Sequence, residues 1–152
     1  MSDSNDNLFQ PSLNTETPAQ ALYSPVACWI TAFFGGPFAA LLIFGVNLRR
    51  AGLAARNASW LALAAAIAIA SLVHLVRIRL TEGETTADDR LVVRGAALVI
   101  AALLYWRLSS AYRAQQMFGI EPPQPWLMAL AAIAFNILIS ALPVLILAGS
   151  YS

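Results

Sequence analysis

The chain has 152 residues, of which 59% are hydrophobic and only 11% are charged, whereas soluble domains contain about 25% charged residues. Its formal net charge is +1, all nine basic residues are arginine, and Cys28 is the single cysteine. This composition excludes a soluble globular domain, a basic nucleic-acid-binding surface and a disulfide framework. Because the apolar residues form blocks of about 20, the length with which a helix crosses a bilayer, we predict an all-α polytopic membrane protein with four transmembrane helices in an antiparallel bundle.

Residues 1–22 precede the apolar blocks and are rich in Ser, Asn, Thr and Pro, with Asp3, Asp6 and Glu16 among them. They offer too little apolar surface to offset the entropy of ordering a chain. We therefore predict a disordered tail over residues 1–22 and one membrane domain over residues 23–152. Because the tail lacks Lys and Arg, we expect no secretory signal peptide, and the first helix should remain in the mature protein.

The first span is predicted over residues 26–46, with Tyr23 and Trp29 near the lipid headgroups. Gly35-Gly36-Pro37 lies in the middle of this span, where the proline removes a backbone donor and lipid offers no replacement. We expect a kink there. A polar connection with three arginines follows, and Gly52 is its helix-stop signal.

The other three spans follow in order. The second is predicted over residues 58–76 and leaves the bilayer through His74 into an acidic segment with the composition of a loop. That segment contains Glu82, Glu84, Asp88 and Asp89. The third is predicted over residues 91–108, with Arg94 in its first turn, where a long side chain can reach the headgroups. The fourth is predicted over residues 127–148.

The arginines predict an orientation. Four antiparallel spans place the tail, the second connection and the C-terminus on one side of the membrane. The first and third connections then carry five arginines and the second carries four: Arg49, Arg50, Arg56, Arg107 and Arg113 against Arg77, Arg79, Arg90 and Arg94. Because cytoplasmic connections carry an excess of basic residues and the tail has none, we expect both termini to lie outside the cytoplasm of a bacterial inner membrane.

Small residues recur at every fourth position in three spans, a spacing that lets helix backbones approach each other in lipid. The three sets are Ala32, Gly36 and Ala40; Ala58, Ala62, Ala66 and Ala70; and Ala132, Asn136 and Ser140. Each set predicts a helix–helix interface. The partner is either another protein or a second copy, or, in the more frequent case, another helix of the same chain.

Asn136 and His74 are the two polar residues for which we consider a functional role. Asn136 lies near the middle of the fourth span and should face other helices, either as a hydrogen-bonding contact, which is commoner, or as part of a transport or ligand site. His74, the single histidine, is either an interfacial side chain beside Arg77 or, less commonly, a proton-relay or pH-sensing group. The residues singled out for helix packing or a polar role are Gly35, Gly36, Pro37, His74, Arg94, Asn136 and Ser140.

The sequence contains no pattern for catalysis or metal binding. Cys28 and His74 lack a third group to orient them, no zinc set can be assembled, and the acidic segment lacks the ligand order of a calcium loop. We therefore expect no enzyme activity, no cofactor, no metal and no nucleic-acid partner. The expected partners are the lipid bilayer and either a second copy or another membrane protein.

The membrane domain opens with Leu22-Tyr23-Ser24-Pro25, continues with Ala32-Phe33-Phe34-Gly35-Gly36-Pro37-Phe38-Ala39, and then reads Asn47-Leu48-Arg49. It resembles a family of uncharacterised small bacterial inner-membrane proteins that share a Tyr-Ser-Pro start and a Phe-Phe-Gly-Gly-Pro first helix. The resemblance implies a four-helix membrane protein with basic first and third connections, and it brings no known activity. In this chain Cys28 stands where a polar residue is more usual, and the third connection is less basic.

The expected function is a non-enzymatic one, in which the chain acts through helix–helix interactions as a subunit, adaptor or scaffold. The alternative is a small transporter or channel component that uses the Gly35-Gly36-Pro37 break and Asn136.

Overall fold

A computed structural model describes residues 20–81, 83 and 85–149, without the side chains of residues 143–149. Within these residues the chain forms four helices and no strand: α1 (Pro25–Arg50), α2 (Ala58–Thr81), α3 (Ala87–Met117) and α4 (Trp126–Gly149). By length and composition α1, α2 and α3 could each cross a membrane, and Trp126–Leu142 is a shorter apolar stretch of α4. The predicted fold class, an all-α polytopic membrane protein with four apolar helices, is confirmed.

α1 turns back on itself at Gly36. This residue has φ 78° and ψ −170°, a combination open almost only to glycine, and Pro37 follows it. The backbone N–H of Tyr23 donates to Asn47 Oδ1 at 3.0 Å, although the two residues are 24 positions apart. A straight helix would separate them by about 36 Å. α1 is therefore a hairpin of two half-helices, α1a (residues 25–35) and α1b (residues 37–50), with Gly36 at its tip. The kink predicted here is present, and it is sharp enough to reverse the chain.

Local signals define the two ends of the hairpin. Ser24 caps α1a, because its hydroxyl accepts a hydrogen bond from the Ala27 N–H at 3.2 Å, and Pro25 occupies the first helical position. α1b ends where Gly52 takes φ 69° and the Leu53 N–H bonds back to the Leu48 carbonyl at 2.9 Å. The helix stop predicted at Gly52 is thus confirmed.

α2 and α3 run antiparallel and meet at both ends. Near the start of α2 the rings of Trp60 and Trp106 lie 6.3 Å apart, and near its finish His74 lies 3.8 Å from Asp89. α4 starts beside the start of α1a, since Ser24, Pro125 and Trp126 line one shared recess. The bundle therefore has an α1 end (residues 20–24, 47–60 and 105–126) and an α2–α3 end (residues 74–94).

The hairpin supplies much of the core. The buried apolar side chains of α1 pack against one face of α3 and against two alanines of α2, and the rings of Trp29, Tyr105 and Tyr112 form a chain between α1a and α3. The fully buried members of this core include Cys28, Ile43, Phe44, Leu48, Ala64, Ala68, Ile100 and Leu104.

α3 is longer than the predicted span of residues 91–108. It begins at Ala87 and continues to Met117, so Asp88 and Asp89, expected in a loop, form its first turn, and Arg94 lies in the second turn rather than the first. The physical reason is a capping box: Thr86 and Asp89 each bond the backbone N–H of the other. Carboxylates are also favourable at a helix N-terminus. Glu82 and Glu84 lie outside the described residues.

Candidate functional site

The hairpin tip is closed by a side chain from α4. Because of Pro37 and the turn at Gly36, the first N–H groups of α1b have no partner within their own helix. The Phe38 N–H instead donates to Asn136 Oδ1 at 3.2 Å. Asn136 therefore acts as a helix cap supplied by another helix, and it faces the bundle as the sequence predicts.

Close approach at the tip depends on the two glycines. A Cβ added to Gly35 would lie 2.9 Å from Ile133 Cγ1, and one added to Gly36 would lie 3.1 Å from both amide atoms of Asn136. Asn136 comes ten residues after Trp126, the first residue of α4, which is about 15 Å along the helix. That is half of a hydrocarbon core about 30 Å thick.

A second polar group lies at the α1 end, where amide side chains hold the segment that leads into α1a. Gln115 of α3 makes two hydrogen bonds to the backbone of Leu22: Oε1 accepts from its N–H at 2.8 Å, and Nε2 donates to its carbonyl at 3.1 Å. Leu22 itself is fully buried. The predicted tail extends to residue 22, but the structure places Leu22 in the folded domain; residues 1–19 lie outside the described part of the chain.

Asn47 of α1b holds the next residue in the same way. Its Oδ1 accepts from the Tyr23 N–H at 3.0 Å, while Nδ2 donates to the Tyr23 carbonyl at 3.2 Å and to Tyr112 Oη at 2.8 Å. Cys28 Sγ lies 3.3 Å from the same Nδ2 and 3.7 Å from Tyr112 Oη. We call Gln115, Asn47 and Tyr112, with the backbone of residues 22–23, the clamp.

Arg50 covers the clamp on its outer side. Its guanidinium donates to the Ala21 carbonyl at 2.8 Å and to Tyr23 Oη at 3.2 Å, and it lies 4.3 Å from the centre of the Tyr23 ring. Tyr23, expected among the headgroups, is instead buried. The clamp thus pairs buried backbone groups that lipid could not satisfy, which is a structural task.

The remaining predicted residues are not brought to the tip or the clamp. His74 Nε2 lies 3.8 Å from Asp89 Oδ1 at the α2–α3 end, a distance that makes an ion pair only when His74 is protonated. Arg94 is exposed, 5.4 Å from the centre of the Phe33 ring. Ser140 is half-buried, one turn beyond Asn136 on α4. Gly35, Gly36, Pro37 and Asn136 meet at the tip.

The hydrogen bonds of Thr86 also lower the pKa of Asp89, which lies before the apolar part of α3. The Thr86 hydroxyl and N–H donate to Asp89 Oδ2 at 2.6 and 2.8 Å, and together with the nearby charge of His74 they hold the pKa of this carboxyl below its ordinary value of 3.8. Among the residues that the structure describes, no three His, Cys, Asp or Glu side chains are grouped as metal ligands.

Sequence reasoning missed the clamp. Asn47 was placed in a connection and Gln115 beyond the end of the third span, where polar residues need no explanation. A usable signal is the helical spacing: Gln115 follows Leu104, Leu108 and Tyr112 on one face of a longer α3, and Asn47 follows Ala40 and Phe44 on one face of α1b.

Comparison of the chain with protein-family models, with curated proteins and with solved structures finds no match. The resemblance of the first helix to small inner-membrane proteins therefore stays a prediction.

Proposed function

We propose that the chain is a non-enzymatic membrane protein that acts through helix–helix contacts, as a subunit, adaptor or scaffold. The observation that carries this proposal is the small-residue stripe of α2, whose members all point out of the bundle. These exposed residues are Ala58, Ala62, Ala66 and Ala70. Such a face allows another helix to come close in lipid.

The other two stripes are used within the chain. Ala32, Gly36 and Ala40 are buried, and Ala132 is buried close to where Asn136 bonds α1b. α2 instead buries Ala64, Ala68 and Ser71, on a different face. The four alanines of the α2 stripe therefore do not pack against other helices of the described chain. This supports contact with a second copy or another membrane protein.

Position-specific crosslinking tests the proposal. In a Cys28→Ala background, Ala66→Cys should give a disulfide-linked dimer or a discrete adduct in native membranes. Ala134→Cys is the matched control, because Ala134 is also exposed but lies on α4. Adding Ala62→Leu should weaken the product, since a larger side chain keeps the backbones apart. Equal crosslinking at positions 66 and 134 would reject the α2 interface.

We also propose a bacterial inner membrane as the location, with a topology that follows from the hairpin. The sequence argument for two termini outside the cytoplasm assumed that α1 crosses once. Because α1a and α1b return to the same end of the bundle, residues 20–24 lie on the side of the first and third connections. The five arginines on that side favour the cytoplasm. The N-terminal side of α1 is then cytoplasmic, and α4 finishes on the opposite side.

Cysteine accessibility tests this topology, again in the Cys28→Ala background. Ala55→Cys and an N-terminal tag should be modified only after the inner membrane is opened, whereas Ala87→Cys, at an exposed position of the α2–α3 end, and a C-terminal tag should react in intact spheroplasts. Modification of both tags from the same side would show that α1 crosses the membrane once.

A small transporter or channel component is the second candidate. It is favoured by the break in regular backbone at Gly36, which lies at mid-membrane depth beside Asn136, an arrangement that transporters use for substrate sites. Flux of ions or small solutes into liposomes containing the purified protein should then depend on Asn136. Absence of flux, or unchanged flux in a folded Asn136→Leu variant, would remove this candidate.

A further inference from the structure

An apolar slot runs along the outer face of α1b. Its floor is formed by residues one helical turn apart, and Phe135 of α4 closes one side. The floor consists of Phe38, Leu41, Leu42, Gly45 and Val46. With a volume of about 320 Å³ the slot falls within the range of ligand sites in proteins.

The slot ends at an arginine. Arg49 lines its end at the α1 end of the bundle, and the same side chain lines a neighbouring recess together with Gln20 and Arg50. Val46 also belongs to both. The two spaces therefore adjoin each other at these side chains, with an apolar lining toward mid-membrane and arginines where the helix leaves the lipid.

Of the two arginines that line the recess, Arg49 makes no side-chain hydrogen bond to the described residues. The Arg50 guanidinium is committed to Ala21 and Tyr23, whereas the Arg49 side chain is exposed. Within the described part of the chain, the ion-pair distance is met only by His74 and Asp89, at the opposite end of the bundle. A guanidinium in this position suits a phosphate group, which it can bind through two parallel hydrogen bonds.

We propose that this slot binds one anionic phospholipid, with an acyl chain along α1b and the phosphate of the headgroup on Arg49. Binding requires both the apolar acyl chain and the charged phosphate of the lipid. A free phosphate ion would leave the apolar slot unfilled, and in a zwitterionic lipid the choline cation would offset the charge of the phosphate beside Arg49 and Arg50. Anionic headgroups are attracted to basic side chains at the membrane surface, by an amount that corresponds to about five-fold in affinity for each side chain.

Native mass spectrometry of the full-length protein tests the proposal. The protein is released from micelles that contain equal amounts of phosphatidylglycerol and phosphatidylcholine with identical acyl chains. Wild-type protein should retain phosphatidylglycerol about five-fold over phosphatidylcholine, and Arg49→Gln should abolish that preference. Arg56→Gln is the matched control, because Arg56 is an exposed arginine nearby that lines neither space, and it should behave as wild type.

A second variant tests the slot itself. A Cβ on Gly45 would meet only Leu61 Cδ2, at an ordinary 3.9 Å, so this position accepts a side chain, and Gly45→Leu adds bulk to the slot; an unchanged unfolding midpoint in detergent shows that the fold is kept. It should lower retention of phosphatidylglycerol. Equal retention of the two lipids, equal effects of Arg49→Gln and Arg56→Gln, or unchanged retention in Gly45→Leu would each overturn the proposal. So would displacement of the lipid by millimolar inorganic phosphate, because the site would then hold a free ion.

Discussion

The two ends of the bundle fix a helix start in contrasting ways. At the α2–α3 end, Thr86 and Asp89 are three positions apart and cap α3 at an exposed site. At the α1 end, Gln115 reaches across 93 positions and Asn47 across 24, and both hold buried backbone. The start of α3 is held by residues that are close in sequence, whereas the start of α1a is held by residues that are distant in sequence and close in space.

The two ends differ in the free energy that a lost hydrogen bond costs. Water can replace the partners of an exposed cap, so losing the cap costs about 1 kcal/mol. A buried N–H or carbonyl that loses its partner keeps its desolvation penalty, about 1–3 kcal/mol for each group. Substitutions in the clamp should therefore lower the free energy of unfolding more than substitutions in the Thr86–Asp89 cap.

The largest expected effect comes from Asn47→Leu. This change removes the hydrogen bonds that Asn47 makes to the N–H and carbonyl of Tyr23 and to the hydroxyl of Tyr112. We expect a loss of about 3 kcal/mol in the free energy of unfolding, measured by denaturant titration in detergent micelles. A loss within about 0.5 kcal/mol would mean that the clamp does not stabilise the hairpin, and the contrast between the two ends would vanish.

Gln115→Leu should cost somewhat less, about 2 kcal/mol, because only the two bonds to Leu22 are lost. The chain offers a matched control in Gln116, the next residue of α3, which is exposed. Gln116→Leu should change stability by less than about 0.5 kcal/mol. Equal effects of the two changes in the same denaturant titration would show that the long-range hydrogen bonds are not the cause.

Thr86→Ala should cost about 1 kcal/mol, and the loss should be local. Amide hydrogen exchange should become faster in the first turn of α3, with no change around the clamp. Thr85→Ala is the control, since it leaves the hydrogen bonds between Thr86 and Asp89 intact. Faster exchange in α1a would contradict the view that the two ends are held independently.

The smallest effect is a pH dependence confined to the α2–α3 end. Because the pKa of Asp89 is lowered in the folded protein, its stabilising contribution is present above the ordinary value of 3.8 and is lost as the pH falls through the lower folded value. Protection of the first-turn amides of α3, measured as exchange relative to the intrinsic rate at each pH, should therefore fall as the pH drops below 3.8. Thr86→Ala should reduce this dependence, since it removes the hydroxyl bond, which is the largest cause of the lowered pKa, and keeps the bond from the backbone N–H. The same loss of protection in Asp89→Asn would assign it to another group.

Local patterns predicted much of the fold. Blocks of apolar residues located all four helices, Gly52 located a helix stop, and Gly35-Gly36-Pro37 located the break. Asn136 was expected to face other helices because a lone amide in lipid needs a partner, and it bonds Phe38. The start of α3 was missed although Thr86 and Asp89 have the spacing of a capping box, because the surrounding acidic composition resembled a loop.

The reversal of α1 could not be predicted in this way. A glycine and a proline permit a bend of any size, and the block is long enough to cross a membrane if it were straight. What decides the angle is the set of partners for the backbone groups at the tip and the clamp. Two of those partners, Asn136 and Gln115, lie 98 and 93 positions from the groups that they bond, and local spacing carries no information about them.

The hydrogen bond between Phe38 and Asn136 has a consequence for biogenesis. Ninety-eight positions separate the two residues, and ribosomes add about 5–20 residues per second. The hairpin is therefore made first but stays incomplete for roughly 5–20 seconds, until α4 has left the ribosome. During this interval the insertion machinery or a chaperone must shelter its open backbone, so the hairpin matures only after α4, although it is synthesised before α4.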